Sequence, residues 1–172
     1  MKRLLIALLV SVAAVSLAEK AAASLTLEAA GWQTGVVDRP ARPAVWKDAQ
    51  RAALSGPRPL LRGKAVLTNR GPKPAEGILI HYLVSARLVP DKAGDQAAAW
   101  ALAFINDEKR IPKVGANQTF EAPLSLSPRL EHYLKKIRRQ GFHAVELKIQ
   151  AMLELKDSDG VRVVESTLEV AP

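Results

Sequence analysis

Apolar and polar residues alternate with a period of two through most of this chain, the spacing of strands with one covered and one wet face. Ser24–Glu28 reads this way, and Gly31–Val37 continues it after a break. Leu61–Asn69 alternates next. Gly77–Val89 is a long strand with Ile78, Ile80, Tyr82, Val84, Ala86 and Leu88 on one face. Leu79, Leu83 and Val89 on its other face predict that part of it is covered on both sides. Ala99–Ile105 projects Trp100, Leu102 and Phe104 together, and Asn106-Asp107-Glu108-Lys109 reads as a turn. Gln118–Leu126 aligns Phe120, Ala122, Leu124 and Leu126. Near the end, Val145, Leu147, Ile149, Ala151, Leu153 and Leu155 form one face of a strand. Asp157-Ser158-Asp159-Gly160 then turns the chain and Val161–Val170 returns. The apolar phase slips between Val161/Val163 and Val164/Ser166/Leu168/Val170, which predicts a bulge.

One stretch carries the helical period instead. Over Ser127–Gln140, Leu130, Tyr133, Leu134 and Ile137 stand at i, i+3, i+4 and i+7, a core-facing stripe. Ser127 suits the N-cap, Pro128 the first helical position and Gly141 a left-handed C-terminal closure. Between Asp38 and Pro59 the pattern breaks, with prolines at 40, 43, 57 and 59. That stretch reads as a long connection in which Val45–Leu54 makes one or two helical turns and Trp46 packs back onto the body. Arg70–Pro74 and Pro90–Ala98 read as loops.

The first residues follow a different logic. Lys2 and Arg3 precede Leu4–Leu17, an uncharged run, and Ser16-Leu17-Ala18 ends it with small residues before Glu19. This is the three-part pattern of a cleavable secretory signal. A membrane anchor needs about 20 apolar residues, more than the run supplies before Glu19 and Lys20. The expected organisation is a leader at 1–18, an N-terminal strand and proline-rich connection at 19–59, and a sandwich core at 60–172. The expected location is the periplasm or the extracellular medium. With no cysteine there is no lipobox to acylate, and no mature transmembrane span is expected.

About seven short strands separated by turns predict an all-β sandwich, with one amphipathic helix inserted at about residues 128–140. Two segments make this more specific. Arg62-Gly63-Lys64-Ala65-Val66-Leu67-Thr68-Asn69-Arg70-Gly71, followed by Pro74–Ile80, resembles a strand–turn–strand unit of bacterial immunoglobulin-like modules, the FxLYD and CARDB types among them. Ile111-Pro112-Lys113-Val114-Gly115 through Phe120 is similar to their lead-in to a middle strand. The resemblance covers about residues 60–170 and implies an immunoglobulin-like antiparallel sandwich with an interaction or scaffolding role in the cell envelope. The inserted helix, and the lack of the Tyr-Asp that names the FxLYD group, depart from the pattern.

Composition narrows the chemistry. Lacking cysteine, the chain has no thiol nucleophile, Cys-ligated zinc, iron–sulfur cluster or disulfide. Loss of the leader removes Lys2 and Arg3, leaving 23 basic against 17 acidic side chains, a net +6 that favours acidic partners. Export argues against nucleic acid as the partner. His81, His132 and His143 show no ligand spacing. Asp157–Gly160 resembles the start of a calcium loop, but the twelfth position is Ser166 where a Glu is required. Asn117-Gln118-Thr119 is a glycosylation sequon that matters only in a eukaryotic secretory pathway. Trp32, Trp46 and Trp100 offer a carbohydrate platform, although core packing is the expected role of at least Trp100.

No catalytic, cofactor or metal residue is assigned, and the expected partner is another envelope or secreted protein. The most suggestive cluster is Arg129, Lys135, Lys136, Arg138 and Arg139 on the helix. Its alternatives are peripheral contact with an anionic lipid or glycan surface, and an ordinary polar helix face matched to the dipole.

Overall fold

The computed structural model describes residues 25–36, 43–54, 60–92, 97–154 and 161–171. The expected leader at Met1–Ala18, most of the prolines between 38 and 59, and the Asp157–Gly160 turn lie outside the described residues. Ten strands and one helix follow in order: β1 (Leu25–Val36), β2 (Val45–Asp48), β3 (Arg51–Ala53), β4 (Leu61–Asn69) and β5 (Ala75–Pro90). After them come β6 (Ala99–Trp100), β7 (Ile105–Val114), β8 (Gln118–Leu124), α1 (Arg129–Arg139), β9 (Phe142–Glu154) and β10 (Val161–Ala171).

The strands form two sheets. Sheet I has the order β2-β1-β4-β8; sheet II runs β3-β10-β9-β5, with β6 and β7 both pairing β5. Every pairing is antiparallel except β3 with β10. The neighbours β10-β9-β5 and β4-β8 match the G-F-C and B-E neighbours of the immunoglobulin sandwich. The chain passes from sheet I to sheet II between β2 and β3. Leu27, Leu67, Ala122 and Leu124 from sheet I meet Ile80, Val84, Leu147, Ile149 and Leu168 from sheet II in one core. Residues 25–54 therefore supply three strands of the sandwich itself.

Several local expectations change on meeting the sheets. Leu25–Val36 is one strand, whose register against β4 shifts between Leu27 and Ala29. Val45–Leu54 is not helical: Val45–Asp48 pairs with Gln33–Val36, and Arg51–Ala53 with Glu169–Ala171. Two available sheet edges give its backbone ladder partners, which override a weak local pattern. Only Ala99 and Trp100 of the expected Ala99–Ile105 strand join the ladder as β6. Asn106–Lys109 is not a turn but lies within β7, opposite Ile80–Leu83. Its run of charges is tolerated because β7 is an edge strand, where such residues discourage further pairing.

The long strand β5 keeps the expected inward face, with Ile78, Ile80, Tyr82, Val84 and Ala86 buried and Leu88 packed against the core. Val89 is also buried, but outside the main core cluster, in keeping with cover on the second face. A register shift near Arg87 and Leu88 places Val145 and Glu146 of β9 against one residue of β5. Ala144, rather than Val145, consequently takes the buried position next inward from Leu147. The bulge expected in β10 is absent, because its pairing with β9 runs unbroken from Val161 to Glu169. Leu168 is buried and Val164 and Val170 pack against the core, while Val161 and Val163 simply point outward.

The helix α1 connects β8 of sheet I to β9 of sheet II. Leu130 and Ile137 are buried, and Tyr133 and Leu134 pack against the same core. Its start differs from the expectation: Pro128 occupies the cap, and Ser127 Oγ donates to Glu131 Oε1 at 2.8 Å. Early amides find carbonyls instead, Leu130 N–H on Leu126 O and His132 N–H on Pro128 O. At the far end Gly141 takes φ +79° and donates to Arg138 O, the expected left-handed closure.

Candidate interaction surfaces

Of the five cations singled out on the helix, the structure groups four. Arg129 Nη1 turns to Asp107 Oδ2 on β7 at 3.0 Å. Lys135, Lys136, Arg138 and Arg139 are exposed, and none joins an ion pair among the described residues. At 100° per residue they spread along the outer arc of the helix and converge on no single point.

The β6–β7 edge runs beside this helix. Phe104 stacks on Tyr133 with ring centroids 3.8 Å apart, and Asp107 holds Arg129 one helical turn earlier. Tyr82 Oη donates to Ser125 O at 2.9 Å just ahead of the helix. Burial, together with the Asp107 charge, raises the Tyr82 phenol above its ordinary value; burial alone raises Tyr133. Ala101 N–H donates to Ala86 O and Phe104 N–H to Val84 O, so residues 102 and 103 loop out of the edge. Leu102, at the tip, is 92% exposed. The sequence pattern projects Leu102 on one face with Trp100 and Phe104; a two-residue excursion is invisible to a period-two reading.

A second surface lies on the opposite side of sheet II. Glu169 N–H donates outward to Gln50 O, away from β9. Main-chain groups alternate sides along a strand, so the N–H and C=O of Thr167, Glu165, Val163 and Val161 also face outward. Among the described residues, β3 covers only Glu169–Ala171, and nothing pairs with β10 from Val161 to Leu168 on that side. Val161 and Val163 are 59% and 50% exposed on the outer face beside that edge.

Among the described residues β1 is likewise unpaired over Leu25–Gly31 on the side where β2 covers only Gln33–Val36, whereas the terminal strands of the sheets are guarded. β2 and β3 have four and three residues. β7 carries Pro112 and the charges of Asp107–Arg110, and β8 carries Pro123.

An open cleft of about 780 Å³ borders the end of the β10 edge at Thr167. The ionisable side chains of its lining already have partners: Arg87 with Glu146 at 3.1 Å, Glu169 with Arg51 at 3.4 Å, and His143 Nδ1 with Asp91 Oδ1 at 2.9 Å. No group of three potential metal ligands occurs among the described residues.

The tryptophans do not share a surface. Trp32 is buried, its indole N–H donating to Ser166 O across the two sheets at 3.2 Å. Trp46 is half-buried under the Arg62 guanidinium, 4.1 Å from its ring centroid, so it does pack back onto the body. Trp100 is 42% exposed beneath Lys148, which corrects its expected core role. No helix among the described residues is long and apolar enough to cross a membrane. No protein-family model matches the chain, and no curated protein matches it in sequence.

Proposed function

We propose that this chain is an exported, non-catalytic interaction module that binds an extended segment of another envelope or secreted protein along β10. The observation that carries this reading is the run of main-chain donors and acceptors from Val161 to Thr167 that, among the described residues, no strand pairs on the side away from β9. Added strands draw affinity from main-chain hydrogen bonds and selectivity from pockets for alternate side chains. Val161 and Val163 offer an apolar outer face beside the edge, and the cleft at Thr167 offers room for a larger side chain. The proposed setting is that of an accessory subunit of an envelope assembly, a role that the motifs resembling bacterial immunoglobulin-like modules of the FxLYD or CARDB type imply.

Val163→Pro tests the reading. It removes an outward N–H while leaving the β9 ladder its donors, which belong to the even-numbered residues. A photo-crosslinker at Thr167 should trap one defined partner in cells. Val163→Pro should abolish that adduct with little change in melting temperature. A full-strength adduct in the proline variant would refute the strand-addition reading.

A further inference from the structure

We propose that the outer face of α1, together with the Leu102 tip, seats the protein on an anionic lipid bilayer. Three observations combine. Lys135, Lys136, Arg138 and Arg139 are exposed and unpaired among the described residues, whereas Arg51, Lys64, Arg70, Arg87, Arg110, Lys113 and Arg129 each hold a carboxylate. Lys47, Arg62, Lys73, Lys92, Lys109, Lys148 and Arg162 also hold no carboxylate, but each stands singly on its strand or turn, whereas α1 carries four such cations together.

The geometry then selects the kind of anion. Four cations spread over an arc cannot converge on one phosphate, but a plane laid against the helix meets several at once. A bilayer leaflet presents such a plane, with its charge distributed laterally.

Beside these cations stands an apolar group with no protein to cover it. Read backwards, the β7–β6 edge follows the helix toward its C-terminus, Asp107 at Arg129 and Phe104 at Tyr133. Leu102 therefore lies toward the Lys136 end, at 92% exposure, and Phe142 just past the helix is 37% exposed. Cations backed by protruding apolar side chains are the composition of an interfacial contact, the charges at the headgroups and the apolar groups below them. An acidic protein or glycan would use the cations but would have less use for an isolated leucine at a loop tip.

The surface does not depend on the β10 reading. It lies at the β5–β6–β7 side of sheet II, while β10 lies at the other side. A protein held on a leaflet by α1 would keep its β10 edge free for a partner.

The test is flotation of the protein recovered from the envelope fraction, with vesicles of phosphatidylcholine alone or mixed with phosphatidylglycerol. The neutral vesicles report any contribution of the leader. Binding should require phosphatidylglycerol and fall with salt. Each Lys or Arg near an anionic leaflet gives about a fivefold gain, so replacing Lys135, Lys136, Arg138 and Arg139 by Gln should weaken binding by up to roughly six hundredfold.

Leu102→Ser should weaken it up to roughly tenfold with the charge intact. No preference for phosphatidylglycerol, or equal binding by the fourfold Gln variant, overturns the proposal. Equally tight binding of soluble heparin, with no effect of Leu102→Ser, also overturns it and assigns the face to an acidic polymer. Val163→Pro should float as the wild type does, which separates this site from the β10 edge.

Discussion

Gly63 faces Ile149 across the sandwich with no space for a side chain: a Cβ there would run into Ile149 Cδ1 and come within 3.2 Å of Leu124 Cβ. Gly63→Ala should cost about 1–3 kcal/mol by overpacking. Ile149→Val alone should cost about 0.5–1.5 kcal/mol through the lost methyl. Because that methyl is the one the new Cβ meets, the double variant should be clearly more stable than the two losses added together. Urea unfolding of the four proteins measures this coupling, and strict additivity would contradict the packing account.

Asn69 poses a different residue-level problem. It is buried, and its Nδ2 donates to Lys73 O at 2.8 Å, Gly115 O at 3.0 Å and Val114 O at 3.3 Å. Its Oδ1 accepts from Gly71 N–H at 3.0 Å. One side chain thus fastens the β4–β5 turn to the β7–β8 corner. Asn69→Asp turns a carboxylate oxygen toward three carbonyls, and should be more destabilising at neutral pH than Asn69→Ala. Denaturant midpoints at pH 7 decide the order.

Across elements, one lysine straps sheet I. The Lys64 stem crosses Gly31 of β1, where a Cβ would stand 3.2 Å from its Cε, and so reaches β2 beyond. There Lys64 Nζ donates to Asp48 Oδ2 at 2.7 Å, and on the other side it meets Glu121 of β8 at 3.4 Å. The Lys64 hydrogen bond, aided by Gln33, holds the Asp48 carboxyl below its ordinary 3.8; Asp48 and then Glu121 raise Lys64 above 10.5. Asp48 therefore adds stability above pH 3.8 that is lost as pH falls through its lower folded value. Lys64 adds stability below pH 10.5 that is lost above its higher folded value. Asp48 is mostly exposed, so the acid-side effect is a few tenths of a kcal/mol. Lys64→Met should lower the melting temperature slightly at neutral pH, and the gap should close as pH falls through the lowered Asp48 value. A gap that persists in acid would assign the loss to packing instead.

The sheets also explain what the sequence disclosed. β4, β5, β9 and α1 were legible because each buries one regular face, and burial is what an apolar period records. β2, β3 and β7 were not, since edge strands are held by main-chain ladders that leave no mark on side-chain pattern. The bulge misplaced into β10 has the same origin: Val161 and Val163 are apolar yet exposed, so they mimic a change of phase. On the helix, the four free cations were legible as charges. The capture of Arg129 by Asp107 was not, because those residues meet only once β7 lies beside α1.

At the scale of the whole molecule, the sandwich has unequal margins. Its β2, β3, β7 and β8 edges are short or carry proline and charge, while β10 stays open over Val161–Leu168 among the described residues. Arg162 and Glu165 are the only charges in that run. An edge of this kind pairs with whatever extended backbone meets it, including its own in a second copy. Without a partner the protein should therefore associate weakly through this edge as concentration rises. Val163→Lys places an outward charge beside the open groups, a device by which edge strands suppress pairing, and leaves the inward face of β10 untouched. Sedimentation velocity over a concentration series should show self-association in the wild type and its loss in Val163→Lys. The fourfold Gln variant of the helix should behave as the wild type, because its substitutions lie at the other side of sheet II. If Val163→Lys associates as strongly as the wild type, the contact between copies lies elsewhere, and β10 is not the adhesive margin of this fold.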